Sequence, residues 1–198
     1  MAFLKTLMAS LALVLTSVSV IAPAATAQGT KVVVIDQARI MRDSAAGKDI
    51  VAKIGAIEQQ MMAEIQPAAT EIQTEGAALE ARTANMTPET IAADAALVSQ
   101  VQAFQQKMQQ YNQDRTIRAQ ELGLTERKAW VAFFQALEPV LQQVVDENGA
   151  GVMLERSELV FAGDSVDVTD SVITKLDAAT PRITVTRERA PTAAPTAQ

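Results

Sequence analysis

The sequence predicts an α+β chain: a small β-body carrying a long antiparallel α-helical hairpin, a coiled-coil arm, with the body completed by self-association. Three observations predict it. From Ser44 to Asn148, about half the chain, apolar residues recur at spacings of three and four, the period of a helix with one buried stripe. Short β-branched runs flank that stretch on both sides. What remains outside the arm, Lys31–Asp43 and Gly149–Asp177, is roughly forty residues, near the size below which a domain without disulfides or metals usually needs oligomerisation.

Residues 1–27 read as a secretory signal peptide. Lys5 supplies the positive start, Leu7 to Ala22 the apolar run, and Ala25-Thr26-Ala27 the small-x-small cleavage pattern. The apolar run is shorter than the ~20 residues of a spanning helix and carries Ser10, Thr16, Ser17 and Ser19, which disfavours a retained anchor. Residues 28–43 form the first part of the body. Val32, Val33, Val34 and Ile35 make a buried strand there, bounded by Gly29 and Asp36.

Residues 44–148 form the arm, with Asp43 or Ser44 capping its first helix. Ile50, Ile54, Ile57, Met61, Ile65, Ala68 and Ile72 set the outgoing stripe. The turn is expected near 85–88, because Thr87 can cap a new helix and Pro88 suits its first position. Leu97, Val101, Phe104, Met108 and Tyr111 set the returning stripe, which Trp130, Phe133, Leu137, Val140 and Val144 resume nearer the body. Stripes this narrow need a partner helix, and the two halves are expected to cover one another. Pro67 and Pro139 fall inside these helices, where a proline costs about 3 kcal/mol, so bends are expected there.

Residues 149–178 complete the body. Asn148-Gly149-Ala150-Gly151 ends the arm, and Val152, Met153 and Leu154 read as a second strand. Arg156-Ser157-Glu158 reads as a hairpin turn into a third strand, Leu159, Val160 and Phe161. A short helix with Val172, Ile173 and Leu176 follows, capped by Thr169 or Asp170. Within residues 179–198, Arg182-Ile183-Thr184-Val185 reads as a weak edge strand and Ala190 to Gln198 as a disordered tail. The strand residues are the expected oligomer surface, and Val33→Asp is expected to split the oligomer.

Composition narrows the function. With no Cys and no His, thiolate or imidazole metal sites, Cys nucleophiles and Ser-His-Asp arrangements are excluded. No Gly-rich phosphate loop appears, so no cofactor, no metal and no enzyme activity are expected. The formal net charge is −6, and more negative by one without Lys5, which disfavours nucleic acid as a partner. Arg115, Arg118, Arg127 and Lys128, interleaved with Asp114, Glu121 and Glu126, read as a solvated helix face.

Two segments of the body resemble a known family. Val32-Val33-Val34-Ile35-Asp36-Gln37-Ala38-Arg39-Ile40 followed by Ser44-Ala45-Ala46-Gly47-Lys48, and Gly151 to Ala162 followed by Asp167-Val168-Thr169-Asp170-Ser171-Val172-Ile173, are similar to the two ends of the OmpH-like (Skp-like) family of periplasmic chaperones. The resemblance implies a homotrimer with the arms around a central cavity, in which trimerisation completes the body. It also implies an ATP-independent holdase in the periplasm that keeps unfolded outer-membrane β-barrel proteins soluble. Client contact is expected from flexible apolar side chains at Met61, Met62, Ile65, Met86 and Met108. Arms of this family are generally basic, whereas Ile50 to Met108 here carries Glu58, Glu64, Glu71, Glu75, Glu80, Glu89 and Asp94 against Lys53, Arg82 and Lys107. Contact with lipopolysaccharide or a membrane surface is therefore disfavoured. The competing reading is a secreted coiled-coil spacer of the cell envelope without chaperone activity.

Overall fold

The computed structural model describes residues 29–190; the expected signal peptide, 1–27, and the last part of the expected tail, 191–198, lie outside the described residues. Strand β1 (Val32–Ile35) leads into helix α1 (Gln37–Asp43). The arm follows as α2 (Ala45–Thr83), α3 (Pro88–Ala93) and α4 (Ala95–Asn148), after which β2 (Val152–Glu155) and α5 (Thr169–Ala179) return the chain to the body. The α+β class and the helical hairpin stand as the apolar stripes imply. At ~1.5 Å per residue the 39 residues of α2 span about 58 Å and the 54 of α4 about 80 Å.

Strands β1 and β2 pair in parallel, with Val32 opposite Val152 and Ile35 opposite Glu155. A tight turn cannot join parallel neighbours, so a crossover must, and here the crossover is the entire arm. On its other side β1 is met by Asp167 and Val168, whose N–H donates to the Val34 carbonyl at 2.9 Å. The arm's root and the body share one core. Ile35, Ile40 and Ile50 pack with Phe133, Leu137, Val140 and Val144 of α4 and with Val172 and Leu176 of α5. Phe133 is fully buried and meets Trp130 edge-on at 5.5 Å.

Side-chain caps tie these pieces together. Asp36 accepts from the Arg39 N–H at 2.8 Å and starts α1, while Ser44, the one of the two candidates that caps, accepts from the Gly47 N–H at 3.1 Å. Helix α5 is held against this corner by the Asp36 N–H donating to the Thr169 hydroxyl at 2.9 Å and the Ala45 N–H donating to Asp177 at 2.7 Å. The corner is so tight that a Cβ on Gly47 would stand 1.7 Å from the Met41 carbonyl oxygen. Gly47→Ala is expected to cost at least about 2 kcal/mol through this overlap. At ~2–4 °C per kcal/mol for a chain of this size, calorimetry should read a Tm lower by at least about 4 °C. An unchanged Tm would mean that the corner relaxes freely. At the far end of α4, Gly149 closes the helix at φ +57°, the left-handed region that favours glycine.

Several expectations are corrected. Leu159, Val160 and Phe161 do not form a strand: the expected hairpin turn, Arg156–Glu158, is a 3₁₀ turn, and the apolar run after it pairs with neither β1 nor β2. Arg182–Val185 is not an edge strand either, and residues 180–190 run along the arm instead. The expected bends at Pro67 and Pro139 do not interrupt the helices: α2 and α4 stay continuous through both prolines. The turn at residues 84–87 is followed by a second break at Asp94, which caps α4 by accepting from the Leu97 N–H at 2.9 Å. Thr169 is the first residue of α5 and not its cap; Asp167 accepts from its N–H at 2.9 Å. Val33, Val34 and Ile35 lie in the chain's own core, so Val33→Asp would unfold the body rather than split an oligomer cleanly.

Candidate functional site

The candidate site is an open cleft of about 200 Å³ between the two arm helices. Glu58, Met61, Met62 and Ile65 line it from α2, and Arg115, Arg118, Ala119 and Leu122 from α4. It lies about 20–30 Å out from the start of α2 at ~1.5 Å per residue. Met61 faces the seam and is 4% exposed, while its neighbour Met62 is 59% exposed, since adjacent helical positions point about 100° apart. Ile65, one turn on, is half-buried. The cleft therefore has an apolar floor and a flexible thioether at its rim.

Of the five expected client-contact residues, the structure brings three together here: Met61, Met62 and Ile65. Met86 sits half-buried in the turn at the arm's tip, and Met108 lies exposed on α4 beside Lys107. The α4 wall was not foreseen, although Arg115, Arg118 and Leu122 carry the three- and four-residue spacing of a helix face. Of the expected oligomer surface, Val32 and Val152 stand paired and exposed at one end of the sheet. Met153, Leu154 and Leu159 are half-buried, Val160 is fully exposed and Phe161 is 86% exposed.

Electrostatics around the cleft correct a second expectation. Glu121 is not on a solvated face; its side chain is 4% exposed. Arg187 donates to it through Nε at 3.2 Å and Nη2 at 2.8 Å, Arg118 donates at 3.2 Å, and the Ala190 N–H donates at 3.3 Å. Arg187 also reaches Glu64 of α2 at 2.7 Å, so one guanidinium bridges both arm helices. Burial pushes the Glu121 carboxyl up, and the bonds from Arg187, Ala190 and Arg118 more than reverse this, holding it below the ordinary carboxylate range. Glu64 is likewise held low, chiefly by its bond from Arg187. The helical spacing runs through Tyr111, Asp114, Arg118, Glu121, Thr125 and Ala129, and this polar stretch of the stripe is the signal that places Glu121 inward.

From Ile50 to Met108 the arm is acidic, and the three cations of that stretch are engaged. Lys53 pairs with Asp49 at 2.7 Å, Arg82 with Asp94 at 2.8 Å, and Lys107 with both Glu71 and Glu75 at 2.7 Å. The bonds to Glu71 and Glu75 push the Lys107 amine up to about 12. Among the described residues, no group of three or more His, Cys, Asp or Glu is gathered closely enough to hold a metal ion.

A family model of the outer membrane protein (OmpH-like) type matches residues 31–176, most of the chain. The chain belongs to the OmpH-like family. A solved structure of a candidate outer membrane chaperone (OmpH-like) from Caulobacter crescentus shares the fold at a TM-score of 0.70 and 29% sequence identity, covering 82% of this chain and 92% of that one. A comparison with curated proteins finds no match. Within this OmpH-like chain the cleft, the exposed Val160–Phe161 loop and the acidic arm all fall inside the family match, whereas residues 180–190 lie beyond its end.

Proposed function

We propose that this OmpH-like chain is an ATP-independent periplasmic holdase, working as a homotrimer, that keeps unfolded outer-membrane β-barrel proteins soluble until they are inserted. The observation that carries the reading is an arm far longer than its body, with an open apolar cleft between helices that otherwise cover one another. An unfolded barrel strand exposes apolar residues at alternate positions and unpaired backbone edges. Weak contacts to Met62, Ile65 and Met108 from several arms would hold such a chain without sequence recognition. Family membership and the Caulobacter neighbour support the chaperone class. The trimer rests on the family resemblance and on a small body that leaves Val32, Val152, Val160 and Phe161 uncovered. Phosphate-bearing lipids are not part of the proposal, since Lys53, Arg82 and Lys107 are already paired with carboxylates.

The test dilutes a urea-denatured outer-membrane β-barrel protein into buffer with the mature chain and records mass and solubility. A soluble complex containing an oligomer of this chain is expected. If the barrel protein aggregates as fast as it does alone, the spacer reading takes over. The same assay with Met62→Glu should show client affinity weakened about fivefold, because roughly 1 kcal/mol of apolar contact is lost from a side chain whose removal barely disturbs the fold. Undiminished affinity would move client contact away from the cleft.

A further inference from the structure

Residues 183–190 follow α5 along the root of the arm and touch both of its helices. On α2, Asp49 accepts from the Ile183 N–H at 3.0 Å and Lys53 donates to the Ile183 carbonyl at 2.6 Å. On α4 the Glu188 N–H donates to the Thr125 hydroxyl at 2.9 Å, the Ala190 N–H donates to Glu121 at 3.3 Å, and Lys128 pairs with Glu188 at 2.7 Å. Between these two sets of contacts stands Arg187, 13% exposed, which donates to Glu64 of α2 and to Glu121 of α4 with one guanidinium. The segment is a polar clasp laid across the two helices.

The clasp and the apolar cleft lie at the same level of the arm, on opposite flanks of the seam. At about 100° per residue, Glu64 is turned to one side of the buried Met61, whereas Met62 and Ile65 are turned to the other. On α4 the same rule sets Glu121 to one side of Arg118 and the cleft residues Ala119 and Leu122 to the other. Arg118 belongs to both flanks. It lines the cleft, and it donates to Glu121 at 3.2 Å and pairs with Glu64 at 3.4 Å, the same two carboxylates that Arg187 holds. Its Nε is buried and has no hydrogen-bond partner among the described residues. A buried donor left unpaired is costly, so Arg118 keeps this pose because its surroundings fix it. We propose that Arg187 is a positioning residue for the cleft: by bridging Glu64 and Glu121 it fixes the separation and roll of α2 and α4, and with them Arg118, so that the cleft is formed before a client arrives. This rests on the holdase reading and names what pre-forms its site, from a segment outside the family match. A cleft held in shape binds more tightly than one that must be ordered on contact. The planar fork of the guanidinium gives two bonds to Glu121 and a third to Glu64, which a lysine ammonium cannot reproduce in that geometry.

Spin-label distances across the arm test this. The chain has no Cys, so Ala63→Cys and Gln120→Cys, both exposed and beside the cleft, take two labels without competitors. Labelled chains diluted among unlabelled ones report the distance within one copy. Arg187→Ala should shift that distance by about 1–2 Å, the scale on which packed helices slide, and broaden its distribution. Labels at Ala78→Cys and Gln102→Cys, nearer the tip, should stay where they are. Arg187→Lys keeps the charge and loses the fork, so it should move the cleft labels as Ala does while disturbing folding less. Cleft labels unmoved in either variant, or tip labels moved as far as those at the cleft, overturn the proposal. Denatured barrel protein should bind both variants more weakly, by about the factor expected for Met62→Glu. Moved labels with undiminished affinity overturn the positioning role. If the wild type binds no barrel protein, the holdase reading falls, and the label distances still decide whether Arg187 sets the cleft.

Discussion

Glu121→Ala is expected to lower the unfolding free energy by about 3 kcal/mol at pH 7, since removing one partner of a buried charge cluster leaves the others without compensation. The value sits at the low end of the range for such losses because Arg187 and Arg118 both keep Glu64. The groups facing Glu121 are Arg118 on its own helix, Arg187 and Arg189 from the segment after α5, and Glu64 through the shared guanidinium of Arg187. Because the folded chain holds the Glu121 and Glu64 carboxyls below their ordinary range, their contribution is complete above that range and disappears as pH falls through the depressed values. The gap between wild type and variant should therefore begin to narrow as pH falls below the ordinary glutamate value of about 4.3. Urea unfolding at pH 7 and near pH 3.5 measures both ends. A loss that stays constant across that interval would assign the effect to packing instead of charge.

Val160→Asp combined with Phe161→Asp should convert the proposed oligomer into single chains at micromolar concentration, read by light scattering. Neither side chain is covered by its own chain, so two new carboxylates there leave the monomer's core untouched. In an interface they would be buried without partners, at a cost of several kcal/mol in each copy. The same reasoning separates this pair from Val33, which lies in the interior of one chain. An undiminished mass would place the contact between copies elsewhere, with the exposed Val32–Val152 end of the sheet as the next candidate.

The helices were legible because their signals are local. The stripes from Ile50 to Ile72 and from Phe133 to Val144 repeat the helical period, and Thr87-Pro88 marks a turn by capping chemistry alone. Strand pairing was not, because it is decided by what lies opposite. Val152–Leu154 and Leu159–Phe161 look alike as sequence, yet the first pairs with β1 while the second, after a 3₁₀ turn, pairs with no strand. Arg182–Val185 failed for a related reason: its alternation is real, but it meets two helices and not a sheet. Met61, Met62 and Ile65 of the cleft were visible as a methionine-rich patch, whereas Glu121 was misread because charge suggested solvent where spacing pointed inward. The deciding partner, Arg187, lies 66 positions away.

The use of the whole arm as the link between β1 and β2 sets an order of events in time. Val32 and Val152 are neighbours in space but about 120 positions apart in the chain, so their pairing is among the most non-local contacts the chain makes. Helical turns form in microseconds from contacts three and four residues apart, and zipping the hairpin brings Asn148 back toward Asp43, shortening the loop that the strands must close. Until that happens β1 has been made, or exported, with nothing to pair with. During that interval several nascent copies could exchange β2 with one another. Slow arm zipping would then appear as intertwined multimers, while a fast-zipping arm lets each chain close on itself before it meets another.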